Sequence, residues 1–256
     1  MIGETATDRR LVEVSGADAL TFLQGLVSND MRPLGKGRGL VWTALLTPQG
    51  KYLADFFVVQ TGEALLLDLP ETLAEDTVRR LTMYRLRAKV DLTPRPDLFV
   101  TRGLTDAPAQ AFADPRHAAL GWRDYVPTPG GDATVDWDRL RVAHLIPESG
   151  IELIPNDSYL LETGFERLHG VDFRKGCYVG QEVTARMKHK TELRKGLARV
   201  TVSAPVPVGT EISADGKPVG TLFTQSAGEG LAYLRFDRAS GPMQAGGAEV
   251  ALLPEA

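Results

Sequence analysis

The chain has 256 residues, 43% of them hydrophobic and 24% charged, an ordinary globular composition with enough apolar side chains for a sizeable core. Its length is generous for one compact domain and points to a large domain with a smaller partner. With 29 Lys and Arg against 33 Asp and Glu the net charge is −4, which argues against a protein that coats nucleic acid by neutralising phosphates.

A lone cysteine, Cys177, excludes an internal disulfide framework and any metal site built from several thiolates of this chain, and it fits a reducing compartment. Four histidines without paired spacing give no self-contained zinc site, so no metal is expected. Residues 1–10 carry Glu4, Asp8, Arg9 and Arg10 and lack the apolar core of roughly 7–15 residues that a secretory signal needs. No apolar run nears the roughly 18 residues of a membrane span, and the expected location is cytoplasmic.

In chain order, a short strand around Leu11, Val12 and Val14 is followed by Ser15 at a helix N-cap position, with Asp18 three residues on. Ala19, Leu20, Leu23 and Val27 then recur at helical spacing, and a turn falls at Ser28-Asn29-Asp30. Three β-prone runs, 40–46, 52–60 and 64–69, are separated by Pro48-Gln49-Gly50 and Thr61-Gly62-Glu63, which predicts an antiparallel meander. Residues 71–84 read as a helix with acids early and arginines late, and 88–92 as a returning strand.

Between 93 and 131 prolines and glycines are frequent, which predicts an irregular sheet region with strands near 98–101 and Trp122. A helix over 136–145 is ended by Pro147, and another is expected to begin near Tyr178. From Arg194 on, five short β-prone runs alternate with Gly and Pro turns, which suggests a barrel of about 60 residues whose closure removes exposed edges. Charge is uneven: residues 166–199 hold nine Lys and Arg against four Asp and Glu, so one basic face on an acidic body is implied.

The richest stretch is Phe173-Arg174-Lys175-Gly176-Cys177-Tyr178-Val179-Gly180-Gln181-Glu182. A neighbouring cation and a helix N-terminus both stabilise a thiolate, which would make Cys177 a nucleophile, a redox-sensitive thiol or a soft metal ligand. A small buried hydrophobe is the alternative reading. His169 and His189 are the histidines nearest in sequence for a Cys–His pair.

Lys175-Gly176-Cys177-Tyr178-x-Gly180-Gln181-Glu182 resembles the signature of the YgfZ family of folate-binding proteins, which includes mitochondrial iron–sulfur assembly factors and is related to the glycine-cleavage T-protein. Residues 16–25 with Ser28-Asn29-Asp30 resemble the family's first helix and turn. Leu46-Thr47-Pro48-Gln49-Gly50-Lys51 with Ala54-Asp55-Phe56 resembles its hairpin. The resemblance implies an α+β fold: a T-protein-like folate-binding body of ferredoxin-like lobes, here 1–192, with a small C-terminal β-barrel, 193–256. It also implies tetrahydrofolate or a derivative as cofactor, and a role in maturing or repairing iron–sulfur enzymes.

By that resemblance Glu162 is the pterin-binding carboxylate, suited to accept two parallel N–H bonds from an aminopyrimidine edge. Where the family usually has asparagine two residues later, this chain has Gly164. Asp55 stands in for the second residue of the T-protein's Asp-Asp pair, whose first position is Ala54, and is the candidate for proton handling near folate. Asn29, Tyr84, Tyr178, Gln181 and Arg186 are further candidates for lining the cofactor. Lys188, His189, Lys190, Arg194 and Lys195 are candidates for meeting phosphate or the folate polyglutamate tail.

Cys177, Lys175 and Asp55 are the candidates for chemistry. One thiolate cannot hold an iron–sulfur cluster alone, since such sites use about four ligands, so a transient cluster shared with an assembly protein or client enzyme is implied. No stable nucleic-acid or membrane partner is expected. The alternatives are a folate-dependent aminomethyl or one-carbon transferase using Asp55, and a thiol-dependent hydrolase or redox switch.

Overall fold

The computed structural model describes residues 3–62, 64–189 and 193–254. Two compact units emerge, residues 1–135 with 166–183, and residues 136–165 with 184–256. The second unit therefore takes in 136–165 as well as the C-terminal strands. Lys190 and the expected domain boundary after residue 192 fall outside the described residues.

The first unit contains β1 (Glu4–Thr5), β2 (Arg9–Ser15), α1 (Ala19–Gln24), β3 (Gly39–Leu46), β4 (Tyr52–Gln60) and β5 (Leu65–Pro70). After these come α2 (Glu71–Arg85), β6 (Asp91–Pro94), β7 (Phe99–Gly103), β8 (Phe112–Ala113) and β9 (Trp122–Val126). The expected meander forms the core of an antiparallel five-stranded sheet in the order β3-β4-β5-β2-β6. Strand period two sorts its side chains. Phe56, Val58, Leu67 and Leu69 join a core with Phe22 and Leu23 of α1 and Ala74 and Leu81 of α2.

Phe57 and Asp68 alternate to the opposite side, where Asp68 meets Arg123 and Tyr125 of β9 at 2.8 and 3.0 Å. A second sheet, β1-β7-β9-β8, supplies those residues and accounts for the irregular middle of the sequence. The guanidinium groups of Arg116 and Arg123 lie 4.9 and 4.2 Å from the Phe57 ring centre.

Three boundaries differ from expectation in the first unit. Asp18, not Ser15, is the N-cap of α1, because β2 runs through Ser15 to pair with Asp91 and Gly16 turns the chain at φ +105°. The Asp18 side chain instead accepts from the Lys89 amide at 2.8 Å, and α1 ends at Gln24, short of Val27. The returning strand, expected over 88–92, is β6, which starts at Asp91.

The second unit holds α3 (Trp137–Ala143), and the division between units runs through α4 (Gln181–Lys188). The remaining strands are β10 (Lys195–Val202), β11 (Thr210–Ala214), β12 (Lys217–Ser226), β13 (Glu229–Arg235), β14 (Met243–Ala245) and β15 (Ala248–Leu252). They close a barrel in the order β10-β13-β12-β11-β14-β15, with β15 pairing back onto β10. Val200, Ile212, Leu222, Ala232, Leu234, Met243 and Val250 fill its interior. The sixth strand, β14, lacks β-branched residues and a long apolar run, the two signals by which a strand is read from sequence.

Candidate functional site

Residues 175–182 form a loop and the start of α4, fixed by close backbone contact with the hairpin turn 47–50. Gly180 has φ +83°, and a Cβ there would lie 2.5 Å from the Thr47 carbonyl oxygen and 2.9 Å from Leu46 Cβ. Gly50 has φ +76°, and a Cβ there would lie 2.8 Å from Val183 Cβ and 3.2 Å from the Gly180 oxygen. Two stretches about 130 residues apart in sequence are thus packed glycine against glycine, which only residues without a side chain allow.

The other anchor is Lys175, 5% exposed. Its ammonium group donates to the Gln24 carbonyl, and the Gln24 side-chain amide donates back to the Lys175 carbonyl at 3.0 Å. Gln24 Oε1 also accepts from the Met31 amide at 2.7 Å, so one α1 side chain ties together the loop and the turn after α1. The Tyr178 ring centre lies 4.7 Å from Lys175 Nζ. Burial depresses the lysine to about 8, against the pull of Asp30 and Asp172 in the opposite direction.

Cys177 is a free, exposed thiol carried between these anchors. It does not sit at a helix N-terminus as expected. The left-handed Gly180 interrupts the helical path, and the Tyr178 amide donates to Gln181 Oε1 at 3.1 Å, so α4 begins only at Gln181. The cation near the thiol is Lys175, whose charge interacts with Cys177.

Asn29 is a strut. Its side-chain amide donates to the carbonyls of Trp42 and His169 at 2.8 and 2.7 Å, and its oxygen accepts from the Asp30 amide at 2.9 Å. Asp55, 4% exposed, accepts from Trp42 Nε1 at 2.9 Å and from the Tyr52 hydroxyl at 2.7 Å. Tyr84 is exposed near the end of α2, and Arg186 is exposed in the last turn of α4. Lys175, Cys177, Tyr178 and Gln181 are thus brought together on one loop. Asn29, Asp55 and Tyr84 belong to the same unit, and Glu162 and Arg186 to the other.

Glu162 lies in a short 3-10 turn that closes on Gly164 at φ +81°, a left-handed conformation that glycine and asparagine both adopt readily. Glu162 Oε2 accepts from the Tyr233 hydroxyl at 2.6 Å. Among the described residues no hydrogen bond reaches Oε1. Burial, and then Glu162 itself, push the Tyr233 phenol well above its usual value and keep it a donor.

Neither Gln24 nor Tyr233 was singled out from sequence. The available signal for Tyr233 was a phenol inside an apolar run, Leu231-Ala232-Tyr233-Leu234, where a half-buried hydroxyl requires a partner. Among the described residues no group of three or more His, Cys, Asp or Glu side chains is placed to hold a metal ion.

The two sheets of the first unit and the closed barrel make up an α+β fold of the aminomethyltransferase T kind. The chain matches the crystal structure of glycine cleavage system aminomethyltransferase T from Bartonella henselae with a TM-score of 0.75, over 99% of this chain and 86% of that one. Sequence identity there is 11%, so the likeness is one of fold.

Residues 194–256 match the family described as CAF17, C-terminal beta-barrel domain. The mitochondrial iron–sulfur cluster assembly factor IBA57 of Homo sapiens is 32% identical over 95% of this chain and 81% of its own length. The Mus musculus protein of the same name is 30% identical over 92% and 78%. The chain belongs to the family of IBA57-type iron–sulfur cluster assembly factors.

Proposed function

We propose that this protein is a tetrahydrofolate-binding accessory factor in the maturation or repair of iron–sulfur enzymes, working through the exposed thiol of Cys177. The observation that carries the reading is the construction of the 175–182 loop. A free, exposed cysteine is held on a segment anchored at Lys175 by Gln24 and at Gly180 by the hairpin turn. A single thiolate offers one of the about four ligands a cluster needs, so the cluster is cargo held jointly with an assembly protein or client enzyme. Burial brings the Lys175 ammonium down to about 8, and its charge interacts with that thiol.

The folate part of the reading is supported by Glu162. One carboxylate oxygen is held by Tyr233, and the other receives no hydrogen bond among the described residues, which suits an N–H donor from a pterin edge. Bound tetrahydrofolate would supply a one-carbon carrier. Asp55 is buried with both oxygens engaged by Trp42 and Tyr52, which favours a structural role, so the one-carbon transferase alternative is not adopted. The exposed free thiol supports a reducing compartment, and no helix among the described residues is long and apolar enough to cross a membrane.

Anaerobic calorimetry with tetrahydrofolate tests the cofactor. Saturable binding is expected, weakened at least about tenfold by Glu162→Ala through loss of a charge-assisted hydrogen bond. No binding to the wild-type protein would remove folate from the function.

A further inference from the structure

The C-terminal barrel was expected as a closed set of short strands, and one of those strands reaches the candidate ligand carboxylate. Along β13, Ala232 and Leu234 point into the barrel core, and the intervening Tyr233 points outward by strand alternation. Its register partners are Leu197 on β10 and Thr221 on β12. β10 also carries Gly196, where a Cβ would lie 3.2 Å from the Glu162 carbonyl oxygen, so the absence of a side chain there lets the 161–163 turn sit against the barrel. That approach puts the Tyr233 hydroxyl 2.6 Å from Glu162 Oε2.

We infer that Tyr233 is the positioning residue for Glu162: its hydroxyl fixes one carboxylate oxygen and so reserves Oε1 for the N–H donors of the ligand. The inference rests on the folate reading above and deepens it. A glutamate on a three-residue turn has three side-chain torsions, and a carboxylate free to rotate among them would bind an aminopyrimidine edge less well. A donor on a closed-barrel strand removes that freedom before the ligand arrives, which is the general advantage of a prearranged site. The phenol, raised by burial and by Glu162, remains protonated in any working range. The other ionisable groups acting on it are Asp157 and Tyr159.

Tyr233→Phe keeps the ring and removes only the hydroxyl. In anaerobic calorimetry with tetrahydrofolate, its affinity is expected to fall about tenfold, the usual worth of a hydrogen bond to a charged group at the low end. The loss is expected to vanish when Glu162 is already alanine, as a double-mutant cycle requires of residues acting through one another. A purely structural role for the hydroxyl would instead lower affinity equally in both backgrounds. If wild type binds, Glu162→Ala abolishes binding and Tyr233→Phe binds as wild type, this inference is overturned and the folate reading stands. If wild type does not bind, both fall.

Discussion

Gly180→Ala is the perturbation that most directly probes how the Cys177 loop is held. The substitution costs twice over. A non-glycine residue at φ +83° loses about 1–2 kcal/mol to left-handed backbone strain. The added methyl would also stand 2.5 Å from a backbone oxygen and 2.9 Å from Leu46 Cβ, neither of which is the free end of a flexible chain. Overpacking of that kind costs about 1–3 kcal/mol more.

Gly176→Ala is the internal comparator. Its φ is +96°, but nothing lies within 4 Å of the added carbon, so only the backbone cost of about 1–2 kcal/mol applies. Denaturant unfolding of the two variants should separate them by about 1–3 kcal/mol, with Gly180→Ala the weaker. Amide exchange in that variant should rise together in 47–50 and 175–182, because the two turns support each other. Equal destabilisation by the two substitutions, or faster exchange confined to one turn, would refute the glycine-to-glycine packing.

Other outcomes follow from the buried charges. Asp68→Ala leaves Arg9 and Arg123 buried without their shared carboxylate and is expected to cost about 3–5 kcal/mol in unfolding free energy; a loss under about 1 kcal/mol would contradict that role. Burial opposes ionisation of Asp68, but Arg9 and Arg123 outweigh it and hold the carboxyl at about 2, below its usual 3.8. Its contribution of about 2 kcal/mol is present above pH 3.8 and lost as pH falls towards 2, so the gap between wild type and Asp68→Ala should narrow by about 2 kcal/mol over that window in acid titration.

Lys175 should titrate at about 8 by nitrogen-detected NMR, and a value at 10.5 would show it solvated. Unfolding then takes up a proton between about 8 and 10.5, so its destabilising contribution fades as pH rises through that range, a trend that Lys175→Met should remove. Tyr52→Phe deprives Asp55 of one donor and is expected to cost about 1–3 kcal/mol of stability with tetrahydrofolate affinity unchanged; a selective loss of affinity would return Asp55 to the ligand site.

Where local pattern and packing agree, the sequence was legible. The meander over β3, β4 and β5 and the α2 helix declare themselves because β-prone runs end at Pro-Gln-Gly and Thr-Gly, and because acids and arginines order the helix ends. The misplacements occurred where a distant partner decides. Ser15 has a capping side chain but is drawn into β2 by Asp91, and the helix after Cys177 is delayed by Gly180, whose conformation is set by a hairpin far away in sequence. Period-two alternation could place Asp68 opposite Leu67 and Leu69, but not reveal Arg123 as its partner, since β9 lies in a glycine- and proline-rich region without clear periodicity.

In the candidate site, Lys175 and Cys177 were marked by composition and spacing, and the structure adds the clamp from Gln24. Glu162 was legible only through family resemblance, and its contact with Tyr233 depends on strand register within the barrel, which no local signal carries.

The most direct measurement is the activity of iron–sulfur enzymes in cells lacking this protein, complemented with wild type or with Cys177→Ala at matched expression. Cys177 is exposed, so the substitution should leave the fold intact. Restoration by wild type and failure by Cys177→Ala is the predicted result. Full restoration by Cys177→Ala would contradict a function carried by the thiol.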